Sequence, residues 1–222
     1  MSNPSTEEFF KKLQESYIKS QFSNALDLVV KEGQSIPAGQ YNFTLGTLYA
    51  KAGQMAASRF HLEKALNNGF VPFEVRKNID YVQRHLPEAS NIEQTMSIPE
   101  YVWSKSLDWS ISECAGLTLM LLIVLVTAQL LLKSKSTFVF LSCLLIGLVP
   151  VSYSVVASKL WSRAIVLNEG PLFEGPSKIF KPGESIPAGL KVVVQRPNQG
   201  WAMVISPTSQ IGWVPLDQLG VL

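Results

Sequence analysis

Two runs without a single charged side chain, Cys114–Leu132 and Thr137–Ser158, fill the middle of this chain, and only Lys133-Ser134-Lys135-Ser136 separates them. At about 1.5 Å rise per residue the first run, about 19 residues, is about 28 Å long as a helix, and the second is roughly 22 residues, so each matches a bilayer's hydrocarbon core. A core helix of a soluble protein keeps a polar stripe toward water, and neither run has one. The pair is therefore expected to form a two-helix transmembrane hairpin over residues 114–158, with the lipid bilayer as its first partner. No Asp, Glu, Arg or His lies inside either run. A proton relay or ion pathway would have no residues to work with, so the hairpin reads as an anchor. Ser142, Ser152, Ser154, Thr127 and Gln129 are expected to bond across the helices, and Pro150 is expected to kink the second one.

The two cysteines, Cys114 and Cys143, both fall in these runs. Their depths, counted from the connecting loop, differ by roughly 18 Å, whereas a disulfide needs Cα atoms within about 7 Å. They read as small apolar packing residues that say nothing of redox compartment. The formal net charge is only +2, and no basic face interleaved with aromatics appears, which sets nucleic-acid binding aside. Met1 to Leu13 carries Glu7, Glu8, Lys11 and Lys12 with no apolar core, so no secretory signal is read there. The loop lysines favour a cytoplasmic loop at 133–136, which places both flanking regions on the outer side. Tyr101, Trp103 and Trp109 before the hairpin and Trp161 after it form the aromatic belt expected at one bilayer face.

Residues 1–86 carry helical periodicity. Phe9, Leu13 and Tyr17 define one helix, and Phe22, Ala25, Leu26 and Val29 a second. Leu45, Gly46 and Tyr49 then stand at the Leu-Gly-x-x-Tyr spacing of a tetratricopeptide repeat, Gly53 separates two helices, and Ser58, Leu62 and Ala65 supply the small, bulky and small positions of the second. Ala25 precedes Ser58 by about 33 residues, near the period of such repeats, so residues 16–32 read as a degenerate earlier copy. Val75, Ile79, Val82 and Leu86 mark a capping helix, with Arg76, Lys77 and Arg84 on its other sides. In a tetratricopeptide array the first helices line the partner groove, which nominates Phe43, Thr47, Ala50 and Lys51. His61 and His85 lack neighbouring ligands or carboxylates and read as surface or capping residues. Residues 87–113, with Pro87, Asn91, Ser97 and Pro99, read as a linker and interfacial aromatic segment.

Residues 159–222 change texture. Short β-prone runs at 164–167, 189–194, 200–205 and 212–214 are divided by Gly, Pro, Asn and Ser, which suits a small all-β barrel of five or so strands. Gly175-Pro-Ser177, Pro187-Ala-Gly189, Gly200-Trp201 and Gly212-Trp-Val214, in that order, resemble the bacterial SH3-like domain. Trp201 and Trp213 are its candidate ligand platforms, set against a role in packing.

The whole therefore reads as a multi-domain membrane protein: an α-helical array at 1–86, a linker at 87–113, a hairpin at 114–158 and an SH3-like barrel at 159–222. That order of parts, with Leu45-Gly46-x-x-Tyr49, Val75-Arg-Lys-Asn-Ile79 and Gly212-Trp-Val214, resembles the BatE family of aerotolerance-operon membrane proteins. The resemblance implies a bacterial inner-membrane scaffold with periplasmic soluble parts. It also implies partners among von Willebrand A-domain membrane proteins and a MoxR-type ATPase. A cell-wall tether that holds peptidoglycan through the SH3-like domain is the alternative. An enzyme is disfavoured, because Cys114 and Cys143 lie in the apolar runs and neither His has a partner for acid–base work. No phosphate-binding loop or metal-ligand spacing occurs, so no catalytic, metal or cofactor residue is expected.

Overall fold

The computed structural model describes residues 4–33, 36–106, 109, 111–131 and 137–222. Contacts divide the chain into two compact units, Met1–Met96 together with Arg163–Leu222, and Ser97–Ser162.

In the first unit, α1 (Pro4–Ile18), α2 (Phe22–Glu32), α3 (Ala38–Lys51), α4 (Met55–Asn67) and α5 (Phe73–Arg84) pack on one another in succession. The boundaries follow local chemistry. Gly53, at φ +79°, turns the chain between α3 and α4, and Pro37 and Pro72 stand just ahead of α3 and α5, where a fixed φ and a missing N–H are harmless. Phe9, Ala25, Val29, Ile36, Leu45 and Leu48 form one buried cluster, and Leu62, Val75 and Val82 a second. Gly46 allows α3 and α4 to meet: a Cβ there would come within 2.7 Å of Leu62 Cγ. Ser58 Oγ donates to the Gly46 carbonyl at 2.7 Å, so a buried hydroxyl is satisfied across the same contact.

Residues 162–222 build β1 (Ser162–Val166), β2 (Gly170–Phe173), β3 (Pro182–Ile186), β4 (Lys191–Asn198), β5 (Trp201–Ile205), β6 (Ile211–Pro215), a 3-10 helix (Leu216–Gln218) and β7 (Leu219–Val221). The strands form one sheet in the order β3-β2-β6-β5-β4-β1-β7, with antiparallel pairing. The molecule is thus a mixed helix-and-sheet protein. The expected closed barrel is an open seven-stranded sheet, because β3 and β7 at its two ends do not pair. The expected runs correspond to β1, β4, β5 and β6. The other three strands carry no comparable β-prone run: β2 and β3 are rich in Gly and Pro, and β7 is only 3 residues long.

Much of the segment read as a linker is helical. Pro87 starts α6 (Pro87–Gln94) from its first turn, a position that proline favours. Ala89, 1% exposed, joins the sheet's core with Val166, Leu190, Val192, Ala202, Val204 and Val214, while Leu86 and Ile92 pack against it. The inner face of the sheet is therefore covered by the helical region itself.

The second unit holds α7 (Ile98–Ser106), α8 (Ile111–Leu131) and α9 (Thr137–Leu160). Among the described residues one helix, α8, is long and apolar enough to cross a membrane, over Ser112–Gln129; the apolar stretch found in α9, Leu144–Ala157, is shorter. The basic loop expected at 133–136 lies outside the described residues. The helices α8 and α9 pack together, with Gly147 directly against Leu122. Three of the hydroxyls expected to bond between helices bond back along their own: Thr127 Oγ1 donates to Ile123 O at 2.9 Å, Ser152 Oγ to Leu148 O at 3.0 Å and Ser154 Oγ to Val151 O at 3.0 Å. Such back-bonding satisfies a hydroxyl without a partner helix. Cys114 is buried and free. The side chain of Cys143 lies outside the described residues.

Candidate functional site

The strongest electrostatic feature of the first unit is a buried ion cluster between its helices and its sheet. Arg59 on α4 is 2% exposed, a position arginine occupies only when fully paired. Its Nε donates to Glu63 Oε1 at 3.0 Å, its Nη1 to the Gly189 carbonyl at 2.8 Å, and its Nη2 to Glu93 Oε2 at 3.0 Å. Nη1 also lies 2.9 Å from Glu93 Oε1, so Glu93 on α6 grips the guanidinium with both oxygens. Lys191, on β4, sets its Nζ 2.5 Å from Glu63 Oε2 and donates its backbone N–H to Glu93 Oε1 at 3.3 Å.

Burial alone would discharge these groups, and their pairing decides otherwise. For Arg59 the desolvation cost is outweighed by Glu63 and Glu93, which hold its pKa above the ordinary value. For Glu63 burial is likewise outweighed, by Lys191 and Arg59, and its pKa is lowered. Burial prevails at Lys191, whose pKa is lowered despite Glu63, and at Arg163, pushed down to about 10 against the pull of the same carboxylate. The cluster ties α4, α6 and β4 together. Gly189 completes the junction at φ +84°, and a Cβ there would strike Leu86. An i, i+4 pair of Arg59 and Glu63 is visible in the sequence. Its burial is not, because it depends on a carbonyl 130 positions downstream.

The nominated helical face is largely used internally. Phe43 packs against the Leu62, Val75 and Val82 cluster, with its ring 5.5 Å from Phe70. Thr47 Oγ1 donates to Phe43 O at 2.9 Å and accepts from Asn78 Nδ2 of α5 at 3.3 Å. Ala50 packs against the same cluster, and Lys51 alone of the four is exposed. The helix α5 thus takes up the contacts that a partner segment was expected to make.

His61, read as a surface or capping residue, is partly buried between α3 and α4. Its ring stacks on Tyr49 at 5.2 Å between centroids, and its Nδ1 lies 3.0 Å from Asn42 Oδ1. Burial, assisted by Lys64, pushes its pKa down to about 4. A histidine depressed on folding adds stability above its unfolded pKa of about 6.5, and that contribution is lost as pH falls through the folded value near 4. Unfolding free energy is therefore expected to drop by up to about 3 kcal/mol between pH 7 and pH 4, and His61→Gln to flatten that part of the profile. Equal pH profiles for the two chains in denaturant titrations would exclude this role. His85, by contrast, is exposed, with Nδ1 2.8 Å from the Tyr81 carbonyl.

Trp201 and Trp213 share the outer face of the sheet. Strand register places Phe173, Trp213, Met203 and Gln195 in one row across β2, β6, β5 and β4. Trp201 pairs with Pro215, and its ring meets Phe173 edge-on at 5.3 Å. Alternate residues Ala202, Val204 and Val214 point to the core, whereas these aromatics are only half-buried. They form an aromatic shelf that packs laterally and keeps part of each ring open to solvent.

No group of His, Cys, Asp and Glu among the described residues could hold a metal ion. Compared with known protein families and with characterised proteins, the chain matches none.

Proposed function

We propose that this chain is a non-enzymatic, membrane-anchored adaptor of the BatE type, with a tetratricopeptide-like helical array and an SH3-like sheet held at a bacterial inner membrane by a two-pass hairpin. The observation that carries the reading is that Met1–Met96 and Arg163–Leu222 make one compact unit although the apolar helices lie between them in sequence. A chain that enters the bilayer after residue 96 and rejoins the same unit at residue 163 must cross an even number of times. We assign the two crossings to α8, the helix long and apolar enough to span a bilayer, and to the shorter apolar stretch of α9, and the packing of Gly147 on Leu122 suits close approach of helices in lipid. The lysines at 133 and 135 favour a cytoplasmic loop and a periplasmic unit. The ion cluster gives that unit a rigid joint, so that a partner meets helices and sheet as one surface. Partners of the von Willebrand A-domain and MoxR-type ATPase classes follow from the family likeness.

Affinity capture of the full chain from detergent-solubilised membranes tests the role. Proteins of those two classes are expected to co-purify, and Lys51→Glu, at an exposed site that leaves the fold intact, is expected to lower their yield. Recovery of nothing beyond a tag-only control would overturn the adaptor role. Unchanged yields with Lys51→Glu would remove the end of α3 from the binding surface.

A further inference from the structure

The hairpin loop between β2 and β3 departs from ordinary surface chemistry. Its tip reads Lys178-Ile179-Phe180-Lys181. Ile179 is 95% exposed, the most exposed large apolar side chain among the described residues, and Phe180 beside it is 47% exposed. Both lysines are exposed. A solitary surface isoleucine would need no explanation. Here an isoleucine and a phenylalanine stand side by side between two cations, at the tip of a loop whose shape is set by its own bonds. Ser177 N–H donates to Gly175 O at 2.8 Å, Phe180 N–H to Ser177 O at 3.2 Å and Glu174 N–H to Lys181 O at 3.2 Å. Ile179 N–H reaches Ser177 Oγ at 3.3 Å. The Phe180 ring lies over Gly175, where a Cβ would approach it to 2.7 Å. The loop therefore holds Ile179 outward in a fixed geometry, and docking it would order nothing further.

We infer that residues 178–181 form a contact for an anionic lipid surface, with Ile179 and Phe180 entering the interfacial layer and Lys178 and Lys181 meeting the headgroups. Aliphatic and aromatic side chains ringed by lysine are the chemistry that such an interface accepts. The occupant is argued from charge and from covalent continuity. Two cations frame the apolar tip, and β1 begins at Ser162 just after α9 ends at Leu160. On the membrane-anchor reading, on which this inference rests, that connection keeps the sheet at high effective concentration beside a bilayer. The contact gives the unit a second attachment point and limits its rotation about the anchor.

The test places an environment-sensitive fluorophore on Ile179→Cys in the full chain, with Cys114→Ala and Cys143→Ala as background, reconstituted in vesicles. Vesicles with a quarter phosphatidylglycerol are compared with pure phosphatidylcholine, and a label on Lys51→Cys serves as the water-exposed control. Emission from position 179 is expected to rise about threefold over the control in the anionic vesicles, to be quenched by brominated acyl chains, and to fall with salt or with Lys178→Glu plus Lys181→Glu. Emission equal to the control in both vesicle types would overturn the proposal. An increase that brominated lipid does not quench would also overturn it, and would assign the loop to a protein partner. Carbonate extraction of the same vesicles reports on the anchor separately: a chain that stays embedded while position 179 remains in water defeats this inference alone.

Discussion

Arg59→Ala is expected to destabilise the first unit by about 3–5 kcal/mol, among the largest losses available to a single substitution here. The guanidinium meets Glu63, Glu93 and the Gly189 carbonyl together. Its removal leaves Glu93 without its bidentate partner and takes from Glu63 the guanidinium bonded to its Oε1, in surroundings where an under-compensated carboxylate is costly. In a unit of about 150 residues such a loss lowers the melting temperature by roughly 10 °C. Lys12→Ala provides the contrast, since Lys12 and Glu8 pair at 2.8 Å in the open, with side chains 52% and 67% exposed. An exposed pair of that kind is screened by solvent and contributes little to stability. Chemical denaturation in detergent micelles compares the two. Similar midpoints would mean that the buried cluster is dispensable to the joint.

Deletion of Thr137–Leu160 is expected to abolish the first unit altogether. On the two-pass anchor proposed above, a single remaining span would put Met1–Met96 and Arg163–Leu222 on opposite sides of the bilayer, where Ala89 could not reach the sheet core nor Arg59 the Gly189 carbonyl. The expected outcome in cells is a chain degraded or open to protease, with no cooperative unfolding transition. Replacing residues 97–162 by a flexible Gly/Ser segment of about 25 residues should instead yield a folded, water-soluble unit, because zero crossings is again even. Odd and even numbers of spans thus give opposite results from related deletions. A single-span chain that still protects the sheet from proteolysis would end the two-pass reading, whereas stable assembly of the soluble version alone would support it. The outcome does not depend on knowing the partner.

The aromatic shelf shows how far sequence reasoning reached toward a site. Gly200-Trp201 and Gly212-Trp213 are strand signals legible in the sequence, whereas the face their rings share is set by the β5–β6 register. That Phe173 would close the row beside Trp201 was not legible, because β2 is only 4 residues long and pairs with β6 across some forty positions of chain. The helical face shows the opposite case. Spacing put Phe43, Thr47 and Ala50 together, but spacing cannot say what stands opposite them, and α5 does.

Local rules acting on neighbouring residues settled the helices from α1 to α5, the charge-free runs 114–132 and 137–158 that make up most of α8 and α9, the tight α3–α4 contact at Gly46 and four of the seven strands. All of these follow from periodicity, glycine and proline placement, or the hydration cost of an apolar run, and each is decided within about thirty residues of chain. Tertiary structure alone decided that residues 87–94 cover the sheet, that the sheet stays open, that His61 is partly buried and that Arg59 lies in the joint. None of these follows from neighbouring residues alone, and for Arg59 the deciding partner is a carbonyl 130 positions away, where burial converts an unremarkable i, i+4 pair into a desolvated group that must be matched charge for charge.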